Sequence, residues 1–303
     1  MKVLIPITVT DAMFTACSVA EPAASETTWV SAGTYAVDDR RIRTGVHRKF
    51  KCILAHTGRT ALPEADPLYW EDEDPTIKWA AFDTYVSTAL SGASPLSFTV
   101  NTGFAQDISM YGLTGTSVTI VEKDAPAGTT LETRTVSLYA ESPGLYEYLF
   151  GPKNPKSKII ETGFALRPNA EYTITITGSG TVAVGMCNFG AYRSVLGEWG
   201  GTTYGCTVEP ISASRIKTNE TTGKVSIKRG TAATNMRITV QIPIEAANYA
   251  LQTMQEVLDV PVSVVGSDAV NYEGLNVFGL PSSQLLYPGY GLATLSTFVK
   301  GMF

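Results

Sequence analysis

The sequence predicts a mainly β protein: a small aromatic-rich β module, an antiparallel β-sandwich, and a β-rich α+β C-terminal domain with one helix. Three observations predict it. Thr, Ser, Val and Tyr are abundant and 27 of the 303 residues are Gly, a composition that favours strands and turns. Between residues 91 and 190, short runs such as LSFTV, TSVTIVEK and EYTITITG alternate apolar and polar side chains, with Gly, Pro and Asn between them. Only the segment 246–259 repeats its apolar residues convincingly at helical spacing. With 44% hydrophobic and 17% charged residues, the chain is able to bury a sizeable core.

Residues 1–26 read as an N-terminal arm, a strand VLIPITV followed by a helical turn capped by Thr10 or Asp11 and ending before Pro22. The apolar run is short, contains Pro6 and gives way to Thr8, Thr10 and Asp11, so it does not read as an export signal. Residues 27–75 form the aromatic module. Trp29 and Trp70 flank Tyr35, Phe50 and Tyr69, and a basic stretch from Arg40 to Lys51 precedes the acidic run Glu71, Asp72, Glu73 and Asp74. These opposite charge runs serve either as solvated faces or as a surface for docking to a neighbouring subunit.

Residues 76–90 read as a linker in which Trp79, Phe82 and Val86 share an apolar face. The block 91–190 fits a sandwich of about seven or eight strands. Its excursion SPGLYEYLFGPKNPKSK is too long for a hairpin and reads as an exposed loop, whose Tyr146, Tyr148 and Phe150 either make an assembly contact or cap the sandwich. Residues 191–303 read as an assembly domain. A Gly-rich connection, EWGGTTYGCTVEP, leads to strands GKVSIKRG and MRITVQIPI, and then to a helix with Ala247, Ala250, Leu251, Met254, Val257 and Leu258 on its apolar face. Strands VPVSVVGS, GLNVFGL and LATLSTFVKGMF complete a sheet whose open edges are candidates for pairing between subunits.

The formal charge of −5 and pI near 5.2 argue against a phosphate-driven nucleic-acid binder. No stretch approaches the roughly twenty apolar residues of a membrane span. Cys17, Cys52, Cys187 and Cys206 form no CxxC pair, so no metal site is expected; they read as reduced, buried side chains, with a Cys187–Cys206 disulfide left open. HExxH, GxSxG, Walker A and helix-opening GxGxxG motifs are missing, so neither a catalytic group nor a cofactor is expected. His56 follows the strand FKCILA and is expected to hydrogen-bond the next turn.

Aromatic rings offer a different chemistry. Tyr and Trp stack on the apolar faces of sugar rings, so Tyr35, Trp29, Tyr69 and Trp70 suit a glycan platform. The same rings are also what a forty-residue domain without metal or disulfide needs for its own core.

Tyr35-Ala-Val-Asp-Asp-Arg40, Phe50-Lys-Cys52, Ala55-His-Thr57 and Pro67-Leu-Tyr-Trp70 resemble the small chitin-binding type of carbohydrate-binding module. That pattern has an early aromatic, a strand, Tyr-x-Cys-x-x-x-His and a terminal Trp. The resemblance implies sugar contacts at Tyr35, Tyr69 and Trp70. The wider order of arm, module, Trp-x-x-Phe-Asp segment at 79–83, sandwich and Gly-rich C-terminal domain is similar to structural tail proteins of tailed bacteriophages, with Ile77 where they often carry Asn. This second resemblance implies a virion component made in the host cytoplasm, a tail-tip or distal-tail ring subunit. Its implied partners are further copies of itself, a hexamer being the guess, together with tail-tube and hub or fibre proteins. A host-glycan adhesin is the alternative, and a polysaccharide hydrolase a more distant one.

Overall fold

The computed structural model describes residues 1–85, 87–140, 144–196, 202–212, 214–218, 220, 223–228, 232–269 and 272–302. Val86, Ser142, Pro143, the first four residues of the Gly-rich connection (198–201) and Phe303 lie outside the described residues. The chain is mainly β and divides into two compact units, Ile7–Phe189 and Met1–Pro6 with Gly190–Phe303. Residues 1–26, expected as an arm, are therefore split between the two.

In the unit Ile7–Phe189, a five-stranded antiparallel sheet runs in the order Thr130–Ser137, Ser117–Lys123, Glu171–Thr177, Leu96–Asn101, Phe14–Cys17. Alternation dictates its inner face. Val118 and Ile120 stand opposite Ile176 and Ile174, which stand opposite Leu96 and Phe98, and all six are buried. Across the core lie Asp107–Tyr111, paired with Lys158–Glu161, and the separate ribbon of Leu90–Ala93 with Thr181–Val184. Asp107–Tyr111 is buried at every position, as a strand covered on both faces must be.

The turn expected near Thr10 is a single one, closed by Met13 and Phe14 N–H groups donating to the Thr10 carbonyl. It does not continue as a helix, because Phe14 enters the sheet edge beside Val100 and buries its ring. The excursion between the strands Thr130–Ser137 and Lys158–Glu161 contains a short helix, Leu145–Phe150, within the expected loop; Gly151 and Pro152 follow it directly.

In the second unit, residues 190–194, the latter half of the strand Met186–Ser194, pair with Lys2–Pro6. Beyond them the antiparallel order is Val262–Val265, Asn276–Leu286, Leu292–Gly301, Ala232–Pro243, Thr207–Ser212. The helix Ala247–Glu256 lays Ala247, Ala250 and Met254 into a core with Val240 and Leu295, and Val257 just beyond it joins them. Leu251 and Leu258, expected on that inner face, are exposed instead. The buried stripe is narrower than the apolar residues allow, because it has only one sheet face to cover. The strand expected in GKVSIKRG is Val225–Lys228, and its partner is Arg215–Thr218, which the sequence reading did not anticipate.

All four cysteines are free thiols. Cys187 is buried among apolar side chains, and that burial pushes its thiol far above the usual range, as expected of an inert core residue.

Candidate functional site

The module expected to bind glycan folds as a three-stranded antiparallel sheet, Arg40–Arg43, Arg48–Cys52 and Trp70–Pro75, with a short ribbon of Thr34–Tyr35 and His56–Thr57. The two opposite charge runs meet each other inside it. Arg40 grips Glu73 through Nε and Nη2 at 2.6 and 2.7 Å, Arg48 Nε lies 2.8 Å from Asp72, and Lys49 Nζ lies 3.4 Å from Asp74. Lys51 pairs with Asp38 at 2.8 Å and Arg43 with Glu64 at 3.1 Å. These pairs lie at the surface, where solvent screens them and each adds little to stability. Their main effect is that the basic run is answered within the module itself.

The predicted contact residues occupy different environments. Tyr35 and Trp70 are 4% and 3% exposed and meet edge to face at 5.0 Å in a cluster with Phe50 and Cys52. The Tyr35 hydroxyl donates to the Val30 carbonyl at 2.8 Å and accepts from the Val30 N–H at 2.7 Å, which fixes the ring from its polar end. Neither ring face is open to a sugar. Tyr69 is half-buried, but the Arg59 guanidinium lies 3.8 Å over its ring, held by Asp66 at 2.8 Å. Trp29 carries Arg43 over its ring at 5.5 Å. His56 makes no hydrogen bond to a turn; its ring is packed between Tyr35, Tyr69 and Trp70, and both ring nitrogens lack a hydrogen-bond partner. The aromatics thus build the module's core and Arg side chains cover the half-exposed rings.

The module is fastened to its surroundings at a joint that the sequence did not reveal. His47, at the tip of the hairpin and with φ +54°, places Nδ1 2.9 Å from Glu21 Oε1 and stacks on Trp79 at 4.5 Å. Its Nε2 lies 2.9 Å from Asp11 Oδ1, an ion-pair distance without hydrogen-bond alignment. Thr76 donates to the same Glu21 oxygen at 2.7 Å, and the Ile77 N–H donates to Glu26 at 2.8 Å. From Trp79 a run of ring contacts continues through Phe14 and Phe82 to Phe98, Phe189 and Tyr172 in the sandwich core. The only sequence signal for this joint was the apolar spacing of Trp79 and Phe82.

Asp83 lies beside the joint, where it accepts from the Thr88 hydroxyl and the Tyr85 N–H. Burial nevertheless pushes its carboxyl from the ordinary 3.8 up to about 6. Because the folded value lies above the unfolded one, its favourable contribution is complete below pH ~4 and is lost as pH rises through about 6. Asp83→Asn is expected to flatten that loss and to raise stability at pH 7 by about 1–2 kcal/mol relative to the parent. Denaturant midpoints of both proteins at pH 4 and pH 7 check this; an unchanged pH dependence in the variant would refute it.

No protein family, curated protein or solved structure matches the chain at a significant level. Among the described residues no group of His, Cys, Asp and Glu is placed to hold a metal ion, and no helix is long and apolar enough to cross a membrane.

Two further surfaces stand out, one that the sequence reading did not name and one whose aromatics it did. Tyr204 and Tyr290 project fully into solvent from Gly-flanked turns, and the neighbouring Gly residues were the available signal. The helix Leu145–Phe150 exposes all six of its residues, and its five large apolar side chains are 58 to 75% exposed. Tyr146 and Phe150 touch each other at 5.4 Å. Of the two roles open to these aromatics, capping the sandwich is excluded by their exposure.

Proposed function

We propose that the chain is a self-assembling structural subunit of a tailed-phage virion, a tail-tip or distal-tail ring component, with a hexameric ring as the working stoichiometry. The observation that carries the self-assembly is the helix Leu145–Phe150, five large apolar residues turned to water on one short element. Exposed apolar clusters of this kind are kept where a partner covers them. The virion setting comes from the order of module, Trp-x-x-Phe-Asp segment, sandwich and C-terminal β domain in the sequence. The internal pairing of the charge runs and the enclosure of Tyr35 and Trp70 favour a structural role for the module over a glycan platform. The implied neighbours are further copies of the chain, tail-tube protein, and hub or fibre protein.

Sedimentation velocity of the purified chain is expected to give a closed oligomer, and Tyr146→Ser/Phe150→Ser is expected to raise its dissociation midpoint at least about tenfold, the loss of one modest interface anchor. Mass spectrometry of purified particles is expected to find the chain in the tail fraction. A monomeric parent absent from particles would overturn the reading.

A further inference from the structure

The sequence from Arg215 to Arg229 holds five cations, Arg215, Lys217, Lys224, Lys228 and Arg229, against the single acid Glu220, in a chain whose net charge is −5. Within it Arg215–Thr218 pairs with Val225–Lys228 as a two-stranded sheet of its own. An acidic protein thus gathers positive charge on one ribbon.

The register gives this ribbon two unlike faces. Arg215 pairs with Lys228, Ile216 with Ile227, Lys217 with Ser226 and Thr218 with Val225. Side chains alternate along a strand, so Ile216, Thr218, Val225 and Ile227 share one face while Arg215, Lys217, Ser226 and Lys228 share the other. All eight residues are exposed, and Ile216, Val225 and Ile227 are 71, 60 and 65% exposed.

Water alone suits neither face. An isolated two-stranded ribbon is marginal in water, and an apolar face on it gains stability when it is covered. On the opposite face Arg215 stands directly across from Lys228, and like charges so placed weaken strand pairing. The ion pairs of the C-terminal unit, Lys2 with Asp268 and Arg193 with Glu256, leave Arg215, Lys217, Lys224 and Lys228 without an acidic partner among the described residues.

One kind of partner satisfies both faces together. An apolar face backed by Lys and Arg is the pattern of an element lying in the interface of an anionic bilayer, its apolar side chains about 5–10 Å into the boundary of headgroups and acyl chains and its cations near the phosphates. A soluble polyanion would answer the cations and leave Ile216, Val225 and Ile227 in water. An uncharged apolar surface would cover those three and leave the cations unanswered.

We infer that the ribbon of Arg215–Thr218 and Val225–Lys228 anchors the chain to the surface of a bilayer rich in anionic lipid, with Ile216, Val225 and Ile227 facing the acyl chains and Arg215, Lys217 and Lys228 at the lipid phosphates. The ribbon lies on the membrane without crossing it, since each strand has four residues and a spanning strand needs about 9–11. The inference goes beyond the self-assembly reading, because a monomeric chain would bind the same membrane.

Co-sedimentation of the full chain with vesicles tests it, using phosphatidylcholine alone and phosphatidylcholine with one third phosphatidylglycerol, each in low and high salt. The parent is expected to pellet with the anionic vesicles in low salt, to bind them more weakly in high salt, and to stay in solution with the neutral ones. Ile216→Ser/Ile227→Ser and Lys217→Gln/Lys228→Gln are each expected to lower the partition coefficient at least about tenfold, while Ile216→Leu/Ile227→Leu keeps it within about threefold of the parent. The altered side chains are exposed, and circular dichroism confirms that each variant is folded. A parent that stays in solution with the anionic vesicles, or binds the neutral ones equally, would overturn the inference. Parental binding by the serine variant would overturn the bilayer as partner in favour of a soluble polyanion. Binding that both ribbon variants retain would place the membrane contact elsewhere and overturn the ribbon as the anchor.

Discussion

Trp70→Ala is expected to unfold the aromatic module while the rest of the chain stays folded. Trp70 is nearly fully buried at the start of the strand Trp70–Pro75, touching Tyr35 and His56 edge to face, and with Tyr35, Phe50 and Cys52 it makes up the buried core of that sheet. Removing a buried Trp costs about 3–5 kcal/mol through lost apolar burial and the cavity left behind. A core of four side chains has no reserve from which to recover it. The surface ion pairs around it contribute too little individually to compensate. Limited proteolysis is expected to cut the variant between residues 27 and 75, with a separate early transition on thermal unfolding. Tyr69→Ala, at the half-exposed edge, is expected to cost about 1 kcal/mol and leave the module protected. Equal protease resistance in Trp70→Ala and the parent would show that the charge pairs, not the rings, hold the module together. Any glycan-binding test on Trp70 must account for this, since lost binding would follow from lost fold.

Phe82→Ala is expected to have the second large effect, on the sandwich and the joint together. Its ring lies 5.1 Å from Phe14, 5.9 Å from Phe98 and 6.5 Å from Phe189, so one side chain ties the N-terminal segment and the linker to the core. The expected loss is about 3 kcal/mol, at the low end for a Phe truncation because the ring is only partly buried. Because Phe82 also packs near Trp79, the variant is expected to expose the joint, reporting as faster hydrogen exchange at the Ile77 and Thr76 amides, which donate to Glu26 and to the His47 carbonyl. A drop in stability without that change in exchange would mean that the joint holds independently of the core.

How much of this was legible in the sequence depends on how far apart the determining residues lie. The sandwich strands were legible because Leu96, Phe98 and Val100, or Tyr172, Ile174 and Ile176, announce a buried face every second residue. The C-terminal helix was legible from Ala247, Ala250 and Met254. Leu251 and Leu258 were assigned to its buried side because periodicity bounds an apolar face without saying how much of it a neighbour covers. The helix Leu145–Phe150 was not legible, since an element with every residue exposed has no inside face to generate a period. Within the module, an aromatic serving as core and one serving as platform have the same composition. Only the placement of Val30 against the Tyr35 hydroxyl and of Arg59 over Tyr69 distinguishes them. The His47 joint depended on Asp11, Glu21 and Trp79, each distant along the chain and unremarkable alone.

The arrangement of charges in the module's sheet also governs how its edges behave when many copies are crowded together. The segment at Thr27–Trp29 hydrogen-bonds along Ile42, so the Arg40–Arg43 side of the sheet is already occupied. The edge left open is Trp70–Pro75, which presents four consecutive carboxylates. Two such edges brought side by side would set acid against acid, and like charges directly opposite disfavour strand pairing. Asp72, Glu73 and Asp74 are held by cations of their own sheet, so a second copy's identical edge offers them no better partner along the direction in which the sheet could grow. An assembly is able to concentrate them without their fusing into a continuous, misfolded sheet.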